Sequence, residues 1–164
     1  MLLVDGDLRC GTLHEIFGGA SEPGLHEVLT EQCQTGDVIR ATQTPNLHLI
    51  SAGRASQTAG ELFLSPAAER FIKDVYPLYD FIVVDSAPVL ATADSASLAP
   101  RLDGVLFVVR GSFTSARLTR NSLELLEQRQ VNILGLVLNR ADTSFPEYYQ
   151  YKYSKYYHRA AVPA

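Results

Sequence analysis

Phe81-Ile82-Val83-Val84-Asp85-Ser86-Ala87-Pro88, the run FIVVDSAP, is the stretch on which the fold turns. Its four apolar residues are consecutive rather than alternating, as in a strand covered on both faces, and an acid and a proline follow at once. Val105 to Val109 (VLFVV) repeats the pattern, and the two runs are expected at the centre of one sheet. Further out, Ile133 to Leu138 (ILGLVL) reads as the last buried strand, Asn46 to Ser51 (NLHLIS) as a short one closed by Ala52 and Gly53, and MLLVDGD at the start as another. Helical spacing falls between them. Gly24 to Gln32 places Leu25, Val28 and Leu29 on one face and ends before Gly36; Ser65 to Tyr76 does the same with Ala68, Phe71, Ile72 and Val75, and Pro77 marks its end. Thr114 is placed to cap a helix running to about Arg129, with Leu118, Leu123, Leu125 and Leu126 on its apolar side. Strands alternating with helices require right-handed crossovers and predict a three-layer α/β/α fold around a mostly parallel sheet.

Of the 164 residues 46% are hydrophobic and 20% charged, enough apolar content for one core. A net charge of −4 gives no general attraction to nucleic acid or anionic lipid, so no nucleic-acid partner is expected. Cys10 and Cys33 are too few for a disulfide framework or a zinc knuckle, and a reduced cytoplasmic setting fits them. No apolar run approaches the ~20 residues of a membrane helix. After Asn139 the composition changes. Asp142, Thr143, Ser144 and Pro146 form a breaker-rich link to a tyrosine cluster, which divides the chain into a domain over 1–142 and a flexible tail over 143–164.

Asp5 and Asp7 flank Gly6, so in a strand their side chains leave on the same face; Asp85 ends a second apolar strand. Carboxylates at the carboxyl ends of parallel strands suit a hard cation beside nucleotide phosphates, held directly or through water. The plainer alternative is that each acid caps the turn or helix that follows it.

Read in order, LLVDGDLRCGTLHEIFG (2–18), GLHEVL (24–29), NLHLISAG (46–53), GELFLS (60–65), YDFIVVDSAPVLATAD (79–94), DGVLFVVRGSFT (103–114) and ILGLVLNR (133–140) resemble successive segments of the bacterial protein-tyrosine kinases of capsule and exopolysaccharide biosynthesis. The wider kinship is with P-loop ATPases of the MinD and ParA kind. The resemblance implies a P-loop NTPase-like fold, ATP and Mg2+ as cofactors, and tyrosine autophosphorylation. It makes Asp5 and Asp85 magnesium-positioning residues, Asp7 the base for the attacking tyrosine hydroxyl, Arg9 a further catalytic residue, and Asn139 and Arg140 contacts to adenine. For Asn139 a turn cap is the alternative. It also implies a membrane-bound polysaccharide co-polymerase as activator, a tyrosine phosphatase, self-association through tail and active site, and a cytoplasmic location peripheral to the inner membrane.

Two departures qualify the resemblance. The family usually has two arginines and a proline after the acids, whereas Arg9 is followed here by Cys10 and Gly11. No GxxxxGK[ST] loop occurs in the sequence, although its amides and lysine are what cradle phosphates. The expectation is therefore a chain lacking the N-terminal P-loop strand and helix, with weak ATP binding alone.

Tyr148, Tyr149, Tyr151, Tyr153, Tyr156 and Tyr157 crowd the tail. An edge strand with one aromatic face, or stacking on single-stranded nucleic acid, would use such a cluster; the resemblance makes them phosphoacceptors. His14 stands where the family motif has a histidine, and His26, His48 and His158 lack metal-ligand spacing. A tyrosine autokinase is the leading functional expectation, ahead of a non-catalytic scaffold or a MinD- or ParA-like ATPase.

Overall fold

A computed structural model describes residues 1–141. The chain opens with strand β1 (Leu2–Asp5), followed by three short helices, α1 (Leu13–Phe17), α2 (Leu25–Leu29) and α3 (Thr35–Val38). Strands β2 (Arg40–Ala41) and β3 (His48–Ile50) come next, then helices α4 (Ala59–Leu64) and α5 (Pro66–Val75). Strand β4 (Ile82–Asp85), helix α6 (Asp94–Leu98), strand β5 (Val105–Arg110), helix α7 (Ala116–Gln128) and strand β6 (Ile133–Asn139) complete the described chain.

Order in the larger sheet is β2-β3-β1-β4; β1 runs parallel to both β3 and β4, and only β2 is antiparallel. Leu2, Val4 and Ile50 from the strands meet Leu25, Leu29, Phe63, Phe71 and Val75 from the helices in the main core. Burial of such side chains, worth roughly 1.5–3 kcal/mol each, fixes the register in which β1 lies beside β4. Local signals agree. The Ser65 side chain accepts from the Ala68 amide and Pro66 opens α5; Ser115, one residue after the expected Thr114, caps α7.

The expectation for the two decisive strands fails in two respects. Phe81 to Val84 and Val105 to Val109 are not covered on both faces, and they do not adjoin in one sheet: β5 pairs in parallel with β6 to form a separate two-stranded sheet. Val83 is 47% exposed, and Leu106 and Val108 are 62% and 59% exposed, each alternating with half-buried neighbours. Among the described residues β4 and β5 each have one unpaired edge. Their sequences are those of interior strands, while their described surroundings cover only one side.

Candidate active site at the strand ends

Asp5 and Asp85 are register partners at the carboxyl ends of β1 and β4, so the pairing itself sets their side chains next to each other on one face. Gly6 permits this approach, because a β-carbon there would lie 2.7 Å from the Asp85 carbonyl oxygen and 2.8 Å from Val84 Cγ1. Asp7 arrives differently from the sequence expectation. β1 ends at Asp5, and Asp7 sits in the turn beyond it rather than two places along a strand.

Both acids of the DGD stretch cap local structure. Asp5 is fully buried and accepts from the Leu13 amide at 2.9 Å, at the start of α1, and from the Asp7 amide at 3.3 Å. Asp7 Oδ1 accepts from the amides of Arg9 (3.1 Å) and Cys10 (3.0 Å), while among the described residues Oδ2 receives no hydrogen bond. Capping and a chemical role coexist here, since a carboxylate has more lone-pair sites than these turns use.

Electrostatics separates this cluster from ordinary surface acids. Burial raises the Asp5 carboxyl above its usual range; the Leu13 and Asp7 amides pull it back, and the charges of Asp85 and Asp7 push it further up. Asp85 is exposed, yet its carboxyl is also raised, first by the desolvating packing around the strand end and then by Asp7, with the Ser86 amide offsetting part. Carboxylates that disfavour one another's ionisation form a place where a cation is welcome. They do not close into a cage: among the described residues no group of three or more His, Cys, Asp or Glu side chains stands ready to hold a metal ion directly. The donor set thus fits a cation that keeps its waters rather than one ligated directly on all sides.

Arg9 turns away from the acids toward a partner the sequence reading did not single out. Its Nε lies 2.5 Å from Asp94 Oδ2 and its Nη2 3.2 Å from Oδ1, a bidentate pair, while Nη1 donates to Gln57 Oε1 at 3.2 Å. The Arg9 hydrogen bond holds the Asp94 carboxyl below its usual range, burial opposes this, and Thr92 and Gly60 add to the lowering. Asp94 was visible only as the last residue of YDFIVVDSAPVLATAD, with no period or spacing of its own.

Asn139 and Arg140 lie at the end of β6, in the other sheet, and the Asn139 side chain accepts from the Arg140 amide at 2.9 Å. That bond reaches only the next residue, and Asn139 keeps its NH2 group for other partners. Tyr148, Tyr149, Tyr151, Tyr153, Tyr156 and Tyr157 lie outside the described residues, as does the expected tail over 143–164. His48 Nδ1 lies 2.7 Å from the Tyr79 hydroxyl with the rings edge to face, a packing role.

No protein-family model matches the chain. It is 32% identical over 168 residues to the succinoglycan biosynthesis transport protein ExoP of Rhizobium meliloti, covering 95% of this chain and 21% of that protein. It is 32% identical over 148 residues to the tyrosine-protein kinase ptk of Acinetobacter johnsonii, covering 90% of this chain and 20% of that one. The solved kinase domain of VpsO superposes with a TM-score of 0.80 at 30% identity, covering 86% of this chain and 70% of that domain. The chain belongs to the bacterial tyrosine kinase family. At the level of fold alone it also matches the septum site-determining protein MinD of Pyrococcus horikoshii, solved with Mg-ADP (TM-score 0.65, 24% identity, 91% of this chain and 63% of that one), so the P-loop NTPase-like α/β class is shown. It spans about a fifth of the length of these curated relatives, 21% for ExoP and 20% for ptk. Among the described residues no helix is long and apolar enough to cross a membrane.

Proposed function

We propose that the chain forms part of the catalytic core of an ATP-dependent tyrosine autokinase acting in capsular or exopolysaccharide biosynthesis. The observation that carries this reading is the register pairing of Asp5 with Asp85, with Asp7 in the adjoining turn, at the edge of a parallel sheet where α/β proteins bind their ligands. Asp85 and Asp5 would position magnesium through its waters; bound with ATP, the ion neutralises charge on the transferred phosphoryl group. Asp7, with one oxygen anchored by its turn and the other free, accepts the proton of the incoming tyrosine hydroxyl. A phenol with a pKa of about 10 needs that help at neutral pH. Asn139 and Arg140 contact the adenine, and the tail tyrosines from Tyr148 to Tyr157 accept phosphate.

The phosphates need a cradle, and none is encoded in the sequence. The unpaired edges of β4 and β5, with Val83, Leu106 and Val108 exposed beside them, fit a further parallel strand and covering helix, and a loop between these would carry the amides and lysine. An activator in the membrane, a phosphatase and a neighbouring subunit's tail complete the proposed cycle.

The deciding experiment joins the chain to a strand–GxxxxGK[ST]–helix unit and follows phosphorylation by mass spectrometry. Phosphate on Tyr148 to Tyr157, lost in Asp7→Asn, is expected; phosphate chiefly on Tyr76 or Tyr79 rejects the acceptor assignment, and an undiminished signal in Asp7→Asn rejects the base. No Mg-ATP-dependent phosphorylation in the joined protein favours the scaffold reading.

A further inference from the structure

We infer that Asp94 is a positioning residue for Asp7, acting through the side chain of Arg9 and the turn to which Arg9 belongs. The inference rests on the kinase reading for its catalytic meaning. Asp7 lies beyond the end of β1, so no strand ladder holds it. Its orientation depends on the turn it caps, whose amides at Arg9 and Cys10 both point to Oδ1. The Asp7 amide is tied to Asp5 Oδ1, and beyond it the turn has two further anchors. On one side Leu8 is buried and its carbonyl accepts from the Ser56 amide at 2.8 Å; on the other, Cys10 is exposed and Arg9 supplies the hold.

The Arg9 hold is stiff because its far end is stiff. Asp94 is only 2% exposed, begins α6, and lies so close to α4 that a β-carbon at Gly60 would come within 3.1 Å of Oδ1. Two parallel bonds from a planar guanidinium fix both distance and plane, unlike the single swivelling contact a lysine would make. With three of its five N–H donors engaged by Asp94 and Gln57, the Arg9 guanidinium serves as a strut. The consequence falls on Asp7 Oδ2, which is left free in a fixed direction. Removing Asp94 frees Arg9, loosens the 7–10 turn and lets that oxygen wander.

Amide hydrogen exchange on this chain tests the coupling directly. In Asp94→Ala the Arg9 and Cys10 amides should exchange about tenfold faster, while the Val4 and Ile50 amides, held in the core strands, keep their rates. Asp94→Asn, which retains acceptor oxygen but not charge, should fall between and decides the matter if Asp94→Ala does not fold. Unchanged exchange at Arg9 and Cys10, or equal acceleration at all four amides, overturns the inference. In the joined kinase, Asp94→Ala should lower kcat by on the order of tenfold or more with KM for ATP within about twofold. A KM rise at constant kcat would instead make Asp94 a nucleotide-site residue and overturn the positioning role. Faster Arg9 and Cys10 exchange in Asp94→Ala, together with a joined wild-type protein that transfers no phosphate, would reject the kinase reading while leaving the Asp94 to Asp7 coupling intact.

Discussion

Asp85 carries opposite consequences for stability and for function. Its carboxyl is raised above the ordinary value of 3.8, so the folded chain binds more protons than the unfolded one, and stability falls as pH rises through that raised pKa. Asp94 behaves in the opposite sense: its lowered carboxyl contributes stability above the unfolded value, lost as pH falls through the folded one. Asp85→Asn should therefore stabilise the chain near pH 7 by about 0.5 kcal/mol, with the gain shrinking in high salt and vanishing below about pH 4. Asp94→Ala should cost about 2 kcal/mol at pH 7, less than a fully buried pair because Arg9 can reach water, and lose most of that cost in acid. Urea melts from pH 7 down to about pH 2, below the ordinary carboxylate range, would measure both. An Asp85→Asn variant destabilised at neutral pH would show that the strand-end acids do not repel. Of these residues, Asp5 and Asp85 were legible in the sequence because an acid ending an apolar run has a defined place on a parallel sheet. Asp94 was not, since its meaning lies in Arg9, 85 positions away.

Short elements depend on single side chains more than long ones do, and α2 shows how. Glu27 is buried and its Oε2 accepts from the Gly24 amide at 2.7 Å, while Oε1 accepts from the Arg54 amide at 3.2 Å, so one carboxylate closes the start of α2 and ties it to the loop after β3. Glu27→Ala leaves two donors without partners and should destabilise by about 2 kcal/mol; Glu27→Gln, which keeps an acceptor, should lose about half as much. Thermal melts of the two variants check this, and equal losses would mean that both carboxylate oxygens, and not a single acceptor, are needed. Element length also governed what the sequence disclosed. α5 and α7 have ten and thirteen residues, enough turns for a period to be read, whereas α1, α3, α4 and α6 have four to six and were missed; α2, with five, was read only because Leu25, Val28 and Leu29 fall together on one face. An Asp37 cap at the start of α3 and tertiary contact elsewhere, not amphipathic period, hold those; α4 and α6 have no side-chain cap.

On the scale of the molecule, the two sheets are supported unequally. The larger has four strands over a core that includes Leu2, Val4, Leu25, Ile50, Phe63 and Phe71, whereas the β5–β6 pair rests on Ala99, Leu126 and Val131 with Val105, Phe107 and Ile133 partly buried against them. A two-stranded sheet with most of its apolar side chains facing water has little to hold it. The sequence could not reveal this, because continuous apolar strands announce what they are made to pack against and not whether it is present. Hydrogen exchange should therefore show two levels of protection, lower over β5 and β6 than over β1 and β3, with the weaker sheet opening first in urea. Joining the strand, phosphate loop and helix should raise β5 and β6 to the level of the larger sheet, if the added strand pairs the free edge of β5 and its helix covers Leu106 and Val108. The same step should turn weak Mg-ATP binding, read by calorimetry, into measurable affinity. Equal protection in both sheets before joining would mean that the exposed faces cost nothing locally. Micromolar Mg-ATP affinity in the isolated chain would mean that the phosphates are held by groups other than the proposed loop.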